Sequence, residues 1–145
     1  MTSSGQLIHA LHLFSPSLPI GAFAFSQGLE AAIEAGHVRD PESLARWCGS
    51  VMRFSLTTLD CHYAVRACRA GSASTFRAVN AELLASRETR ELLQEDLLLG
   101  AAFKKWATDR GIDVPDATEY SLACLYGWVA ASYEIPEDWL VTGIL

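Results

Sequence analysis

The side chains best suited to chemistry in this chain are four histidines and four cysteines, and their spacing assembles no complete reactive centre. His9 and His12 stand one helical turn apart, so both can face a single metal ion. No Asp, Glu or Cys lies in the first fourteen residues to complete that site, and two ligands alone bind weakly. His37 follows Gly36 at the expected end of a helix, where a cation is favourable. Cys61 and His62 are adjacent on an expected helix and point about 100° apart, which makes joint ligation awkward. Cys48, Cys61, Cys68 and Cys124 form no C-x-x-C pair, and read as reduced core thiols rather than a structural zinc site.

A serine nucleophile needs a base that a third group holds in place. Ser26 has Gln27 and Glu30 nearby but no histidine. Glu30 reads better as a hydrogen-bond partner of Ser26 or of a free backbone N–H at a helix start. Neither glycine-rich phosphate-binding pattern occurs. A small-molecule enzyme would need a deep pocket under residues 15–30, with Glu30 as a carboxylate of displaced pKa. The run Arg87, Glu88, Thr89, Arg90, Glu91 reads as a solvated helix face held by i,i+3 and i,i+4 pairs.

The elements that would position these groups are helical throughout. Leu7, Leu11 and Phe14 recur at helical spacing behind Ser3 and Ser4, and Pro16 ends that helix. Leu29 and Ile33 mark a short second helix that Gly36 can close. Asp40-Pro41-Glu42 supplies a cap, a first-turn proline and an acid. Behind it Leu44, Trp47, Cys48, Val51, Met52, Leu56, Leu59 and Tyr63 predict one long helix up to Gly71. Ser72 or Ser74 opens the next, with Phe76, Val79 and Leu83 inward. Leu92 to Trp106 continues in helical register to Gly111, with a break near Ser86 left open. Asp116 and Glu119 resemble a capping box ahead of Leu122, Leu125, Val129 and Tyr133. A last helix starts at Ile135-Pro136 and runs out in apolar residues to Leu145, as if the chain were cut short or its end buried against a partner. The expectation is one all-α, irregular domain of about six or seven helices.

One stretch, Ser15 to Glu30, is shaped by Pro16, Pro19, Gly21 and Gly28 yet carries Leu18, Ile20, Phe23 and Phe25. A solvated linker does not have this composition, so the segment must pack against the core or another protein. Half of the 145 residues are hydrophobic, and the mean hydropathy is slightly positive at +0.18. The net charge of −6 argues against nucleic acid as the main partner. No stretch reaches the roughly 18 uncharged apolar residues of a membrane span. The amino-terminal residues lack the basic start of a signal peptide, so a cytoplasmic location is expected. These features favour an interaction protein over an enzyme.

Leu18-Pro19-Ile20-Gly21 followed by Phe25-Ser26-Gln27-Gly28-Leu29-Glu30, with Glu34-Ala35-Gly36 behind, resembles the UreF family of urease accessory proteins. A second stretch, Leu84 to Glu91 with Gly100 before Phe103, is similar to that family in order and spacing. The resemblance implies an all-α protein that dimerises, pairs with UreH (also called UreD) and recruits the GTPase UreG to deliver nickel to apo-urease. Nickel and GTP would then be handled by the partners, with no cofactor bound by this chain and no catalysis of its own. It also implies family helices beyond Leu145, and it places Ser15, Pro19, Gly21, Phe23, Phe25, Ser26, Gln27, Gly28, Glu30, Arg87, Glu88 and Thr89 in partner binding or in shaping the surface that does it. Two alternatives stand beside this scaffold: a chaperone that carries nickel itself, through His9, His12 or the cysteines, and the helical enzyme described above.

Overall fold

The computed structural model describes residues 3–145, which form seven helices and a short 3-10 turn, with no strand among them. Helix α1 spans Ser4–Leu13 and α2 spans Leu29–Glu34, with the 3-10 turn Ala22–Ala24 between them. Helix α3 covers residues 41–68 in three parts: α-helical Pro41–Val51, wider turns over Met52–Cys61, and α-helical His62–Cys68. Then follow α4 (Ala73–Ala85), α5 (Arg90–Thr108), α6 (Leu122–Ser132) and α7 (Glu137–Ile144).

Local signals set most of these boundaries. Ser3 and Gln6 close a capping box on α1, and Asp40 does the same for α3 with Ser43, behind Pro41 at the first turn. Ser72 caps α4 through the Thr75 N–H, and Thr89 caps α5 through the Leu92 N–H, so the chain does break at Ser86. Gly36 ends α2 as foreseen: the His37 N–H reaches back to the Ala32 carbonyl and the Gly36 N–H to that of Ile33.

On α1, Leu7 and Leu11 point away from the core, at 46% and 66% exposure, while Ala10 and Leu13 are buried and Phe14 packs against the core. Two expectations for the later helices are overturned. Helix α3 is not uniformly α-helical: i→i+5 turns run over Met52–Cys61 and end with Asp60 and Cys61 turned inward, while Leu44, Cys48 and Met52 are exposed. Cys48 is therefore no core thiol. Asp116 and Glu119 form no capping box, because α6 starts only at Leu122 and takes its cap from another helix.

The core sits where α6 crosses α3, the most extensive helix pairing in the molecule. Gly127 permits the crossing: a Cβ there would lie 2.0 Å from the Ala64 carbonyl oxygen. Phe76, Leu83, Phe103, Leu125, Val129 and Leu140 fill the space around it with no exposed surface to speak of. Gly127→Ala should cost about 1–3 kcal/mol, because two backbones would have to move apart. Gly49→Ala, whose Cβ meets nothing within 4 Å, should instead stabilise by up to about 1 kcal/mol through helix propensity. Denaturant midpoints of the two variants check this, and equal shifts would refute it.

Candidate functional site

Four elements converge on the side chain of Arg87, which the connection between α4 and α5 presents to the interior. Its Nη2 donates to Asp60 Oδ1 at 2.7 Å, from the end of the wide turns of α3. The same nitrogen and Nε donate to Asp96 Oδ2 on α5, at 2.6 and 2.8 Å. The other oxygen of Asp96 accepts the free Leu122 N–H at the start of α6, at 2.8 Å. One carboxylate thus binds the guanidinium and caps a helix whose positive end favours it. Side-chain exposures of 10%, 12% and 5% for Arg87, Asp60 and Asp96 put the triad out of water. Next to it, Asn80 accepts the Ser121 N–H and donates to the Glu119 carbonyl, fixing the approach to α6.

Arg87 is therefore not on a solvated helix face. The local charge pattern is the same for either arrangement, and burial by α3 and α6 decides between them. Burial opposes the charge on Arg87, but its two carboxylates outweigh that, and the guanidinium holds its proton more firmly than a free arginine. Burial also pushes the Asp60 carboxyl upward; Arg87 offsets this in part, and the like charge of Asp96 adds to it.

Above the triad opens a groove of about 450 Å³. Trp47, Val51 and Phe54 of α3 form one wall, with Leu92 of α5, Tyr126 of α6 and Ile144 of α7 opposite. Burial raises the Tyr126 phenol to about 12, so it stays neutral. Glu95 on the α5 side is half-buried and has its carboxyl pushed up, first by burial and then by Asp96.

The Ser15–Glu30 segment divides in two. Leu18 and Ile20 are buried and Phe25 packs on the core, whereas Phe23 is 86% exposed. The Ser15 hydroxyl takes the Ser17 N–H in a local turn, and Pro19, Gly21 and Glu30 are exposed. Gln27 and Gly28 have φ of 50° and 84°, and the Ser26 carbonyl accepts the Leu29 N–H across them, a tight turn that needs glycine at its second centre. That turn sets Gln27 on the groove and Gly28 beside the Trp47 ring. No side chain caps α2, and among the described residues the Glu30 carboxylate accepts from neither Ser26 nor a backbone N–H, so the foreseen hydrogen bond of Glu30 is absent. The groove meets this segment only at Gln27, and Glu30 does not line it.

Of the residues singled out by sequence, Gln27, Arg87 and Glu88 share the groove. Thr89 caps α5, and the others lie apart from it. Asp60, Asp96, Glu95 and Trp47 were missed. The spacing Leu92, Asp96, Leu99 places an acid on an apolar helical stripe, and that signal marks a buried, paired carboxylate. His9 stacks on Tyr133 at 4.0 Å and His12 meets the edge of Trp106 at 5.6 Å, so each is held by a different ring. Among the described residues no group of three His, Cys, Asp or Glu is placed to hold a metal ion. The four cysteines are free.

Fold and groove together define an all-α domain tied by a buried ion triad, with an apolar, acid-rimmed groove on its surface. The UreF family model matches residues 38–145. Curated relatives named urease accessory protein UreF include those of Teredinibacter turnerae, 35% identical over 97% of this chain and 66% of its own length, and Citrobacter koseri, 36% identical over 94% and 64%. That of Pseudomonas putida strain W619 is 37% identical over 99% of this chain and 67% of its own length. The chain belongs to the UreF family, and it spans about two thirds of the length of these relatives.

Arg87→Met should lower stability by about 3–5 kcal/mol, since two buried carboxylates are left facing each other. A loss below about 1 kcal/mol in urea denaturation would refute the pairing. Asp60 binds its proton more readily folded than unfolded. Its contribution is complete below the ordinary value of 3.8 and is lost as pH climbs through the raised one. Wild type should therefore gain on Asp60→Asn as pH falls from neutral; denaturation curves across that range would show the opposite slope if Asp60 titrated below its ordinary value.

Proposed function

We propose that this chain acts in urease maturation as a docking scaffold rather than a catalyst. It pairs with UreH/UreD, recruits the GTPase UreG and brings both to apo-urease, working in the cytoplasm as a homodimer. Nickel and GTP are held by the partners, and this chain binds neither. Membership of the UreF family carries the reading. Support from the geometry comes from apolar side chains turned outward on a firmly tied frame: Ile8 and Leu11 on α1, Phe23 on the segment after it, and Phe54 on α3 are each at least 65% exposed. Surface of this kind is what a protein with several partners presents. No helix among the described residues is long and apolar enough to cross a membrane.

The full-length protein, expressed in nickel-supplied cells that lack their own UreF but keep the remaining urease genes, should restore urease activity and co-purify with UreH/UreD and UreG. Activity at the deletion background, with the protein folded and abundant, would overturn the reading.

A further inference from the structure

The groove combines an apolar wall with an excess of negative charge. Leu44, Trp47, Val51 and Phe54 recur along α3 at helical spacing, a stripe of about 15 Å at 1.5 Å per residue. Its outer members are solvent-facing, Leu44 at 39% and Phe54 at 65% exposure, so the apolar surface runs on beyond the groove. That length suits about three turns of a helix rather than a compact small molecule. The carboxylates of Asp60, Glu88, Glu95 and Asp96 line the groove against the single guanidinium of Arg87. Arg87 is fully engaged by Asp60 and Asp96. The side chains of Glu88 and Glu95 make no hydrogen bond or ion pair among the described residues, and Glu95 is already half withdrawn from water. A carboxylate held beside an apolar wall without a cation is costly until one arrives.

We propose that the groove docks an amphipathic helical segment of a protein partner, its apolar face along the Leu44–Phe54 stripe and a lysine or arginine on it paired with Glu95 and Glu88. The inference rests on the scaffold reading and adds to it the chemistry of the docked segment. Among the described residues the one guanidinium lining the groove is spent on the triad, so the cation comes on the docked segment. Hydrophobic contact supplies the attraction, and the acid pair sets register and rejects acidic segments.

The test places a photo-crosslinker at the groove mouth, Phe54→p-benzoylphenylalanine, in the full-length protein within urease-producing cells, and sequences the linked peptide by mass spectrometry. The expected peptide comes from a different protein, is apolar at helical spacing, and has Lys or Arg within about one turn of the link. Glu95→Lys should cut the crosslink yield roughly tenfold or more, as like charges meet. Glu95→Gln should cut it less, with thermal melts confirming that both variants fold. A link to this chain or a second copy of it, a linked segment without a basic residue, no link, or a yield unmoved by Glu95→Lys would overturn the proposal. Urease activation by the unsubstituted protein in the same cells separates the two readings. Its failure sinks the scaffold, whereas normal activation with a crosslink indifferent to Glu95 sinks only the docked basic helix.

Discussion

A single guanidinium shared between two carboxylates holds this fold in register. Arg87 comes from a short connection, Asp60 from α3 and Asp96 from α5, and Asp96 also holds the start of α6. An ion triad of this kind adds little net stability over a well-packed apolar core, because desolvation consumes most of the Coulomb attraction. What it supplies is uniqueness. An apolar residue at position 87 would tolerate many arrangements of the α4–α5 connection; a buried arginine with two defined acceptors tolerates one. The groove above the triad inherits that definition, since its floor is the triad and its walls are the helices the triad ties together.

Around this tie the molecule divides into a close-packed half and an open one. The α3–α6 crossing, fixed at Gly127, belongs to the first. The outer face of α1, the exposed Phe23 and the first half of α3 belong to the second, where only Ser43 is buried between Pro41 and Val51. A helix with so little buried of its own is held from its ends, and its apolar side chains stay available. This contrast between a tight interior and uncovered apolar faces is the physical content behind the high hydropathy of an acidic chain.

How legible this was in the sequence depended on the range of the interaction. Helix starts were readable at the local caps of Asp40 and Ser72, whereas the equally local cap of Thr89, inside a charged run, left the break near Ser86 open. The start of α6 was not readable, because the true acceptor, Asp96, lies 26 residues away and outcompetes the nearby Asp116 and Glu119. The inward face of α1 was not legible, because apolar residues lie on both of its sides and only packing tells Leu11 from Leu13. The wide turns of α3 left no mark in composition. Within the site, Gln27, Arg87 and Glu88 came from the family likeness, while the partners of Arg87 required three dimensions. The tight turn at Gln27 and Gly28 was foreshadowed by glycine, though its place beside Trp47 was not.

The borrowed cap on α6 carries a consequence for the order in which the chain assembles. The peptide dipoles of α6 find their terminating acceptor only once the intervening loop, residues 109–121, has closed back onto α5. Closing a loop costs entropy before any contact rewards it, so α6 has no stable beginning of its own during synthesis. The most buried helix of the domain therefore takes its beginning from a neighbour, and its first turn is secured only once α5 is in place to supply Asp96.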